Sequence, residues 1–128
     1  MERKRLNEIS HSIIGSAIDV HRHMGPGLLE SIYEECLAFN LAEKGLIVKR
    51  QVKVPLVFKG YQLNKYFFLD LIVEDELVLE VKSVERLLPV HELQLLSYLK
   101  LTDKRLGLLI NFNVTQLTKG LKRIVNNF

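Results

Sequence analysis

A chain of 128 residues, 48% apolar and 26% charged, is long enough to bury one real core, and its 7 Gly and 3 Pro exclude a collagenous or disordered class. Its net charge of +3 is too mild to argue nucleic-acid binding in bulk, so the placement of the basic residues has to carry any such reading. The most apolar runs, 67–73 and 77–81, are short and each holds a carboxylate, which excludes a membrane-spanning helix of about 20 apolar residues. The single Cys36 excludes an internal disulfide and fits a reducing compartment. Met1–Arg5 is charged and no apolar stretch follows it, so no secretory signal is expected and the expected address is the cytoplasm.

A first helix is expected from Glu8 to His23, with Asn7 as N-cap and an apolar stripe of Ile9, Ile13, Ile14, Ala17, Ile18 and Val20. Gly25-Pro26-Gly27 breaks it. A second helix is expected over 28–44, burying Leu28, Leu29, Ile32, Cys36 and Phe39, with Gly45 placed to end it. Leu46, Val48, Val52, Val54, Leu56 and Phe58 alternate with polar positions, giving a half-exposed strand whose Pro55 implies an edge or a bulge. Lys59-Gly60 makes a turn.

Residues 66–73 and 77–84 are apolar on both faces, so they predict strands in a sheet covered on both sides, linked through Glu74-Asp75-Glu76 as a hairpin. A third helix is expected over 90–101 and another buried strand over 106–112, with Leu121, Ile124 and Val125 of the tail packing back. The order α-α-β-β-β-α-β predicts one α/β domain spanning 1–128, a mixed central sheet flanked by helices on both faces.

Three charged residues interrupt the two most buried strands: Asp70, Glu80 and Lys82. Burying such groups unpaired costs several kcal/mol, so they need compensation from each other or from a cation. Glu80 and Lys82 are two apart on a strand and point to one face. A three-residue hairpin loop centred on Asp75 places residue 70 opposite residue 80, about 5 Å away at Cβ. Two carboxylates that close repel, and a divalent cation between them removes the repulsion. Oxygen ligands suit Mg2+ or Mn2+ rather than Zn2+. Lys82 beside such an ion is placed to orient or deprotonate an attacking water and to neutralise a scissile phosphate. The bland alternative is a structural ion pair, and Glu-x-Lys alone would favour it.

Asp70 followed by Glu80-Val81-Lys82 resembles the D…(D/E)-x-K signature of the PD-(D/E)xK nuclease superfamily, whose core is restriction-endonuclease-like. Gln94-Leu-Leu-Ser-Tyr98 resembles the Q-x-x-x-Y helix motif of bacterial recombination helicase-nucleases. Gly27-Leu-Leu-Glu30-Ser-Ile-Tyr33 resembles the eponymous motif of the GxxExxY protein family, and the likeness runs from about Ile13 to Val125.

The resemblance implies a Mg2+- or Mn2+-dependent nuclease acting on phosphodiesters, with DNA favoured over RNA as partner. It implies Asp70 and Glu80 as metal ligands, the Val81 carbonyl as a further ligand, and Glu30 as an added or water-mediated one. Gln94 would hydrogen-bond Lys82, the water or a phosphate. Tyr33 and Tyr98 would touch the substrate backbone or brace the carboxylates, core packing being the rival reading. His91, one turn before Gln94, is a candidate phosphate contact, and Lys49 and Arg50 form a basic cluster with Lys53. One departure stands out: members of the family it resembles often carry a basic residue two before the aspartate, where this chain has Phe68, leaving Lys65 or Arg50 as substitutes.

His21 and His23 face different sides of a helix and make a poor zinc pair. Cys36 reads as core, and Gly25-Pro26-Gly27 lacks the G-K-[ST] ending of a P-loop. The rival from another class is a non-catalytic nucleic-acid- or partner-binding module on the same fold. A homodimer is plausible on either reading, because so small a domain offers little surface to grip a duplex.

Overall fold

A computed structural model describes residues 1–128. Helix α1 spans Arg3–Met24 and begins five residues before the expected start, because Leu6 extends the buried stripe of Ile9, Ile13, Ala17 and Val20. Helix α2 spans Glu30–Glu43 and ends in a Schellman turn: Leu46 N–H donates to Leu41 O, Gly45 N–H donates to Ala42 O, and Gly45 sits at φ 81°. Its buried face corrects the expectation. Tyr33, Leu37 and Leu41 point inward, while Leu29 and Phe39 are 71% and 63% exposed. Apolar and polar residues are interspersed all round the helix, so counting apolar residues did not fix its orientation; Cys36 is half-buried against the core.

Five strands form one sheet in the order β1-β2-β3-β4-β5: β1 Val48–Phe58, β2 Tyr61–Val73, β3 Leu77–Lys82, β4 Leu106–Asn111 and β5 Leu121–Val125. All neighbours are antiparallel except β3 and β4, which helix α3 (Pro89–Thr102) connects in parallel. The tail does more than pack back, since Leu121–Val125 is a full edge strand on β4. Lys59 and Gly60, both at positive φ, close the β1–β2 hairpin, as a type I′ turn requires. Pro55 lies on the opposite edge strand, and the register shifts between Pro55 and Val57.

The sheet has a core on each face. Helices α1 and α2 cover one face through Leu71, Val73, Leu77, Leu79, Val81, Leu106, Leu108 and Ile110. Helix α3 covers the other through Val54, Leu69, Ile72, Val78 and Leu109, to which it contributes Leu95 and Leu99. This is the α/β arrangement expected, a mixed sheet with helices on both faces.

Candidate active site

The two central hairpins share a strand but not a length. Strand β2 pairs with β3 only through Leu71↔Leu79, Ile72↔Val78 and Val73↔Leu77, while its pairing with β1 continues out to Tyr61. Just past Leu71, β2 peels away from β3. Side chains also change faces there: Leu71 and Val73 point into the α1/α2 core, whereas Phe67 and Leu69 point to the α3 side. The opposite residue on β1, Gln51, has φ 50° and drops out of the register with Asp70. Both strands therefore twist over at the Gln51/Asp70 step.

That break leaves backbone groups of both β2 and β3 without a strand partner, and the two carboxylates fill the gap. Val81 N–H donates to Asp70 Oδ2 at 2.8 Å, and Asp70 N–H donates to Glu80 Oε1 at 3.3 Å. The expected placement of residue 70 beside residue 80 is what the register gives, extrapolated one step beyond its last pair. Glu80 is 6% exposed and shares the α3 side of β3 with Lys82. Burial first, and then the neighbouring charge of Asp70, push the Glu80 carboxyl up from 4.5 to about 8. Lys82 acts in the opposite direction and does not offset them.

The remaining residues lie on two sides of this gap. On the α3 side, Gln94 lies one helical turn before Tyr98, and burial together with the charges of Glu80 and Asp70 raises the Tyr98 hydroxyl's pKa. Tyr98 also stacks on Phe67, with ring centroids 4.2 Å apart. On the α2 side, a cavity of about 530 Å³ is lined by Glu30, Glu34, Gln51, Asp70, Val81 and Ser83, among others. Glu30 does not touch Asp70 or Glu80; its Oε2 accepts the Ser83 N–H at 3.1 Å, so it caps the end of β3.

Several expected contacts are placed elsewhere. Tyr33 is fully buried: it stacks on Phe112 at 4.5 Å, and its hydroxyl donates to Gly25 O and accepts from Leu28 N–H. It braces the Gly25–Leu28 turn and does not reach a substrate. Nδ1 of His91 accepts the Leu88 N–H at the start of α3, a local cap. Arg50 is held by Glu34 at 3.0 Å and is no free substitute for a basic residue at position 68; the residue directly across from Phe68 is Lys53. Lys49 is exposed on the edge strand. The sequence reading missed Glu34, 5% exposed, which binds both Arg50 and Gln51. Its position four residues after Glu30, on one helix face, was the available signal. It also missed Asn111, whose buried amide pins both backbone groups of Val84 and so fixes the chain leaving β3.

Does this donor set fit a divalent cation? Two adjoining carboxylates, one of them driven toward its neutral form first by burial and then by the other's charge, form an oxygen-only set with surplus negative charge. Lys82 O faces β4, where it accepts the Phe112 N–H at 2.9 Å, so the preceding carbonyl, that of Val81, faces the gap. No group of three or more His, Cys, Asp and Glu side chains converges as a ligand cluster. Mg2+ commonly binds through one or two carboxylates while keeping waters and substrate phosphates, so the set fits such an ion.

The chain belongs to the PD-(D/E)XK nuclease superfamily, whose family model matches residues 7–124. Nucleases of that superfamily generally use divalent metals. No curated protein and no solved structure matches the chain significantly. No helix is long and apolar enough to cross a membrane.

Proposed function

We propose that the protein is a divalent-metal-dependent nuclease that hydrolyses phosphodiester bonds, in DNA ahead of RNA, and that it is a member of the GxxExxY branch of its superfamily working in the cytoplasm as one domain. The observation that carries this reading is the pair of carboxylates, Asp70 and Glu80, set together at the break in the β2–β3 ladder with Lys82 on the same strand. A structural ion pair would satisfy Glu80, yet burial and Asp70 drive it up to about 8 despite Lys82, which leaves the site short of positive charge.

Asp70, Glu80 and the Val81 carbonyl would hold Mg2+ or Mn2+, with Glu30 acting through water from the cavity wall. When bound, that ion neutralises the two carboxylates and polarises the scissile phosphate. Lys82 orients the attacking water and stabilises the charge that develops on the phosphate oxygens. Gln94, one turn before Tyr98 on α3, positions the water or a phosphate from that side. Tyr98, stacked on Phe67, keeps its hydroxyl near enough to feel the charges of both carboxylates. Lys49 and His91 are left as outlying contacts for the nucleic-acid backbone.

A second reading, a nucleic-acid- or partner-binding module without turnover, is favoured by one observation: no third acidic side chain joins Asp70 and Glu80. Cleavage of labelled single-stranded, duplex and branched DNA and of RNA, with Mg2+, Mn2+ or EDTA, separates the two. The nuclease reading expects metal-dependent cutting that Asp70→Ala and Lys82→Ala both abolish. Nucleic-acid binding with no cutting of any substrate would transfer the function to the binding module.

A further inference from the structure

Beyond Asp70 the β1–β2 hairpin runs out of the sheet as a two-stranded arm. Between Lys44 and Asp70 the chain has no Asp or Glu at all, although it carries 15 elsewhere, while it has five cations there: Lys49, Arg50, Lys53, Lys59 and Lys65. Five of the ten aromatic residues, Phe58, Tyr61, Tyr66, Phe67 and Phe68, lie in the same stretch. A half-buried strand places such residues inward; here only Phe67 turns in, toward α3, and Phe58, Tyr61, Tyr66 and Phe68 are all exposed.

Strand alternation sorts them. Val54, Phe67 and Leu69 face α3, so Lys53, Tyr66 and Phe68 share the opposite face, the one on which Asp70 opens into the cavity beside α2. Lys53 lies directly across from Phe68 in the ladder, and its Nζ sits 3.8 Å above the Tyr66 ring. That cation–π contact holds an ammonium on the same face of the ladder as Phe68, which is 48% exposed. Phe68 is two residues from Asp70, about 7 Å along the strand.

We propose that this outer face is a docking strip for single-stranded nucleic acid, in which a base stacks on Phe68 while Lys53, held by Tyr66, meets the adjoining phosphate. The inference rests on the nuclease reading for its direction, since the strip leads to Asp70. A flat aromatic face takes any unpaired base, whereas duplex bases are already stacked, so the strip selects for strand state and is indifferent to sequence. The absence of carboxylates favours a polyanion over a second copy of this chain, whose own arm would present the same cations to these ones.

The chain has no Trp, so Phe68→Trp gives a single fluorescent reporter on the strip. The measurement is titration of this variant with 12-nucleotide oligothymidylate and with a duplex of equal length, in EDTA so that no cutting intervenes. Quenching by the single strand and little by the duplex is expected. Read by the anisotropy of a dye-labelled oligothymidylate, Phe68→Ala is expected to weaken single-strand binding about 5- to 150-fold, with Phe68→Tyr restoring it. Lys53→Ala is expected to lower the salt dependence by about 0.7 in log–log slope. Unchanged fluorescence at saturation, equal binding by Phe68→Ala, equal response to duplex, or no binding at all would each overturn the strip. A dimer that Phe68→Ala dissociates, with no quenching by the single strand, would overturn it in favour of a contact between copies. Quenching without cleavage on any substrate would sink the nuclease reading and leave the strip standing.

Discussion

The two ends of strand β2 make an instructive pair. Leu71–Val73 is bonded to β1 on one side and β3 on the other and is buried. Tyr61–Leu69 has only β1 as a neighbour, and most of its side chains face water. The same strand is thus sheet interior for three residues and beyond them a two-stranded ribbon that packs on α3 only at its near end, through Phe67 and Leu69, and Asp70 stands at the change. Where a strand loses a neighbour, the facing strand is left with polar backbone groups that must find other partners. Here side-chain carboxylates take that place, because a carboxylate accepts an N–H as a carbonyl does. Charge is thereby held at the rim of a packed core, at the one step where the core lets it reach the surface.

The largest effect that sharpens this contrast falls at the junction itself. Asp70→Ala is expected to lower cleavage about 100- to 1,000-fold or more, read from single-turnover rates. Asp70→Asn, which keeps an acceptor for Val81 N–H, is expected to be as inactive yet better folded. If Asp70→Ala cuts normally, the junction is not the site.

Next comes the difference in packing. Leu79, fully buried opposite Leu71, is expected to cost about 2–5 kcal/mol on truncation to Ala. Val57→Ala, on the arm and 58% exposed, is expected to stay within about 0.5 kcal/mol. Denaturant midpoints compare the two directly, and equal losses would mean that the arm is part of the cooperative core.

A third effect follows from the proton on Glu80. Its folded value of about 8 lies above its ordinary 4.5, so between these pH values the folded protein binds more protons than the unfolded chain. Metal-free stability at this site is therefore intact below about 4.5 and lost as pH rises toward 8, by an amount on the order of a few kcal/mol. Glu80→Gln is expected to flatten that slope in denaturant titrations run in EDTA, and an unchanged slope would place the titration elsewhere. The smallest effect is dynamic: amides of 61–69 are expected to exchange faster than those of 71–73, since they belong to a two-stranded ribbon.

Much of this was legible in the sequence because it depended on period and spacing. The doubly apolar runs around Asp70 and Glu80 marked central strands, and the loop length between them set the two carboxylates side by side. Gly45, Lys59-Gly60 and Pro55 marked their turns and edge correctly. Other features depended on partners that spacing does not reveal. Helix α2 mixes apolar and polar residues on every side, so its rotation, and with it the burial of Tyr33, is set by partners such as Phe112 far along the chain. The fifth strand is short and half-exposed, and only its pairing with β4 makes it a strand. The reversal of faces at Gln51/Asp70 breaks the period-two rule from which the whole of β1 was read. Glu30 shows the same limit: its helix carries it to the cavity, but its carboxylate caps Ser83.

The central claim is that the break in the β2–β3 ladder is a divalent-cation site. Isothermal titration of Mn2+ into the metal-free protein at pH 8, beside Asp70→Asn and Glu30→Gln, tests it most directly. The account predicts a saturable site in the wild type, lost in Asp70→Asn and weakened in Glu30→Gln, with proton release from Glu80 at that pH. No saturable heat in the wild type, or equal binding by Asp70→Asn, would contradict it.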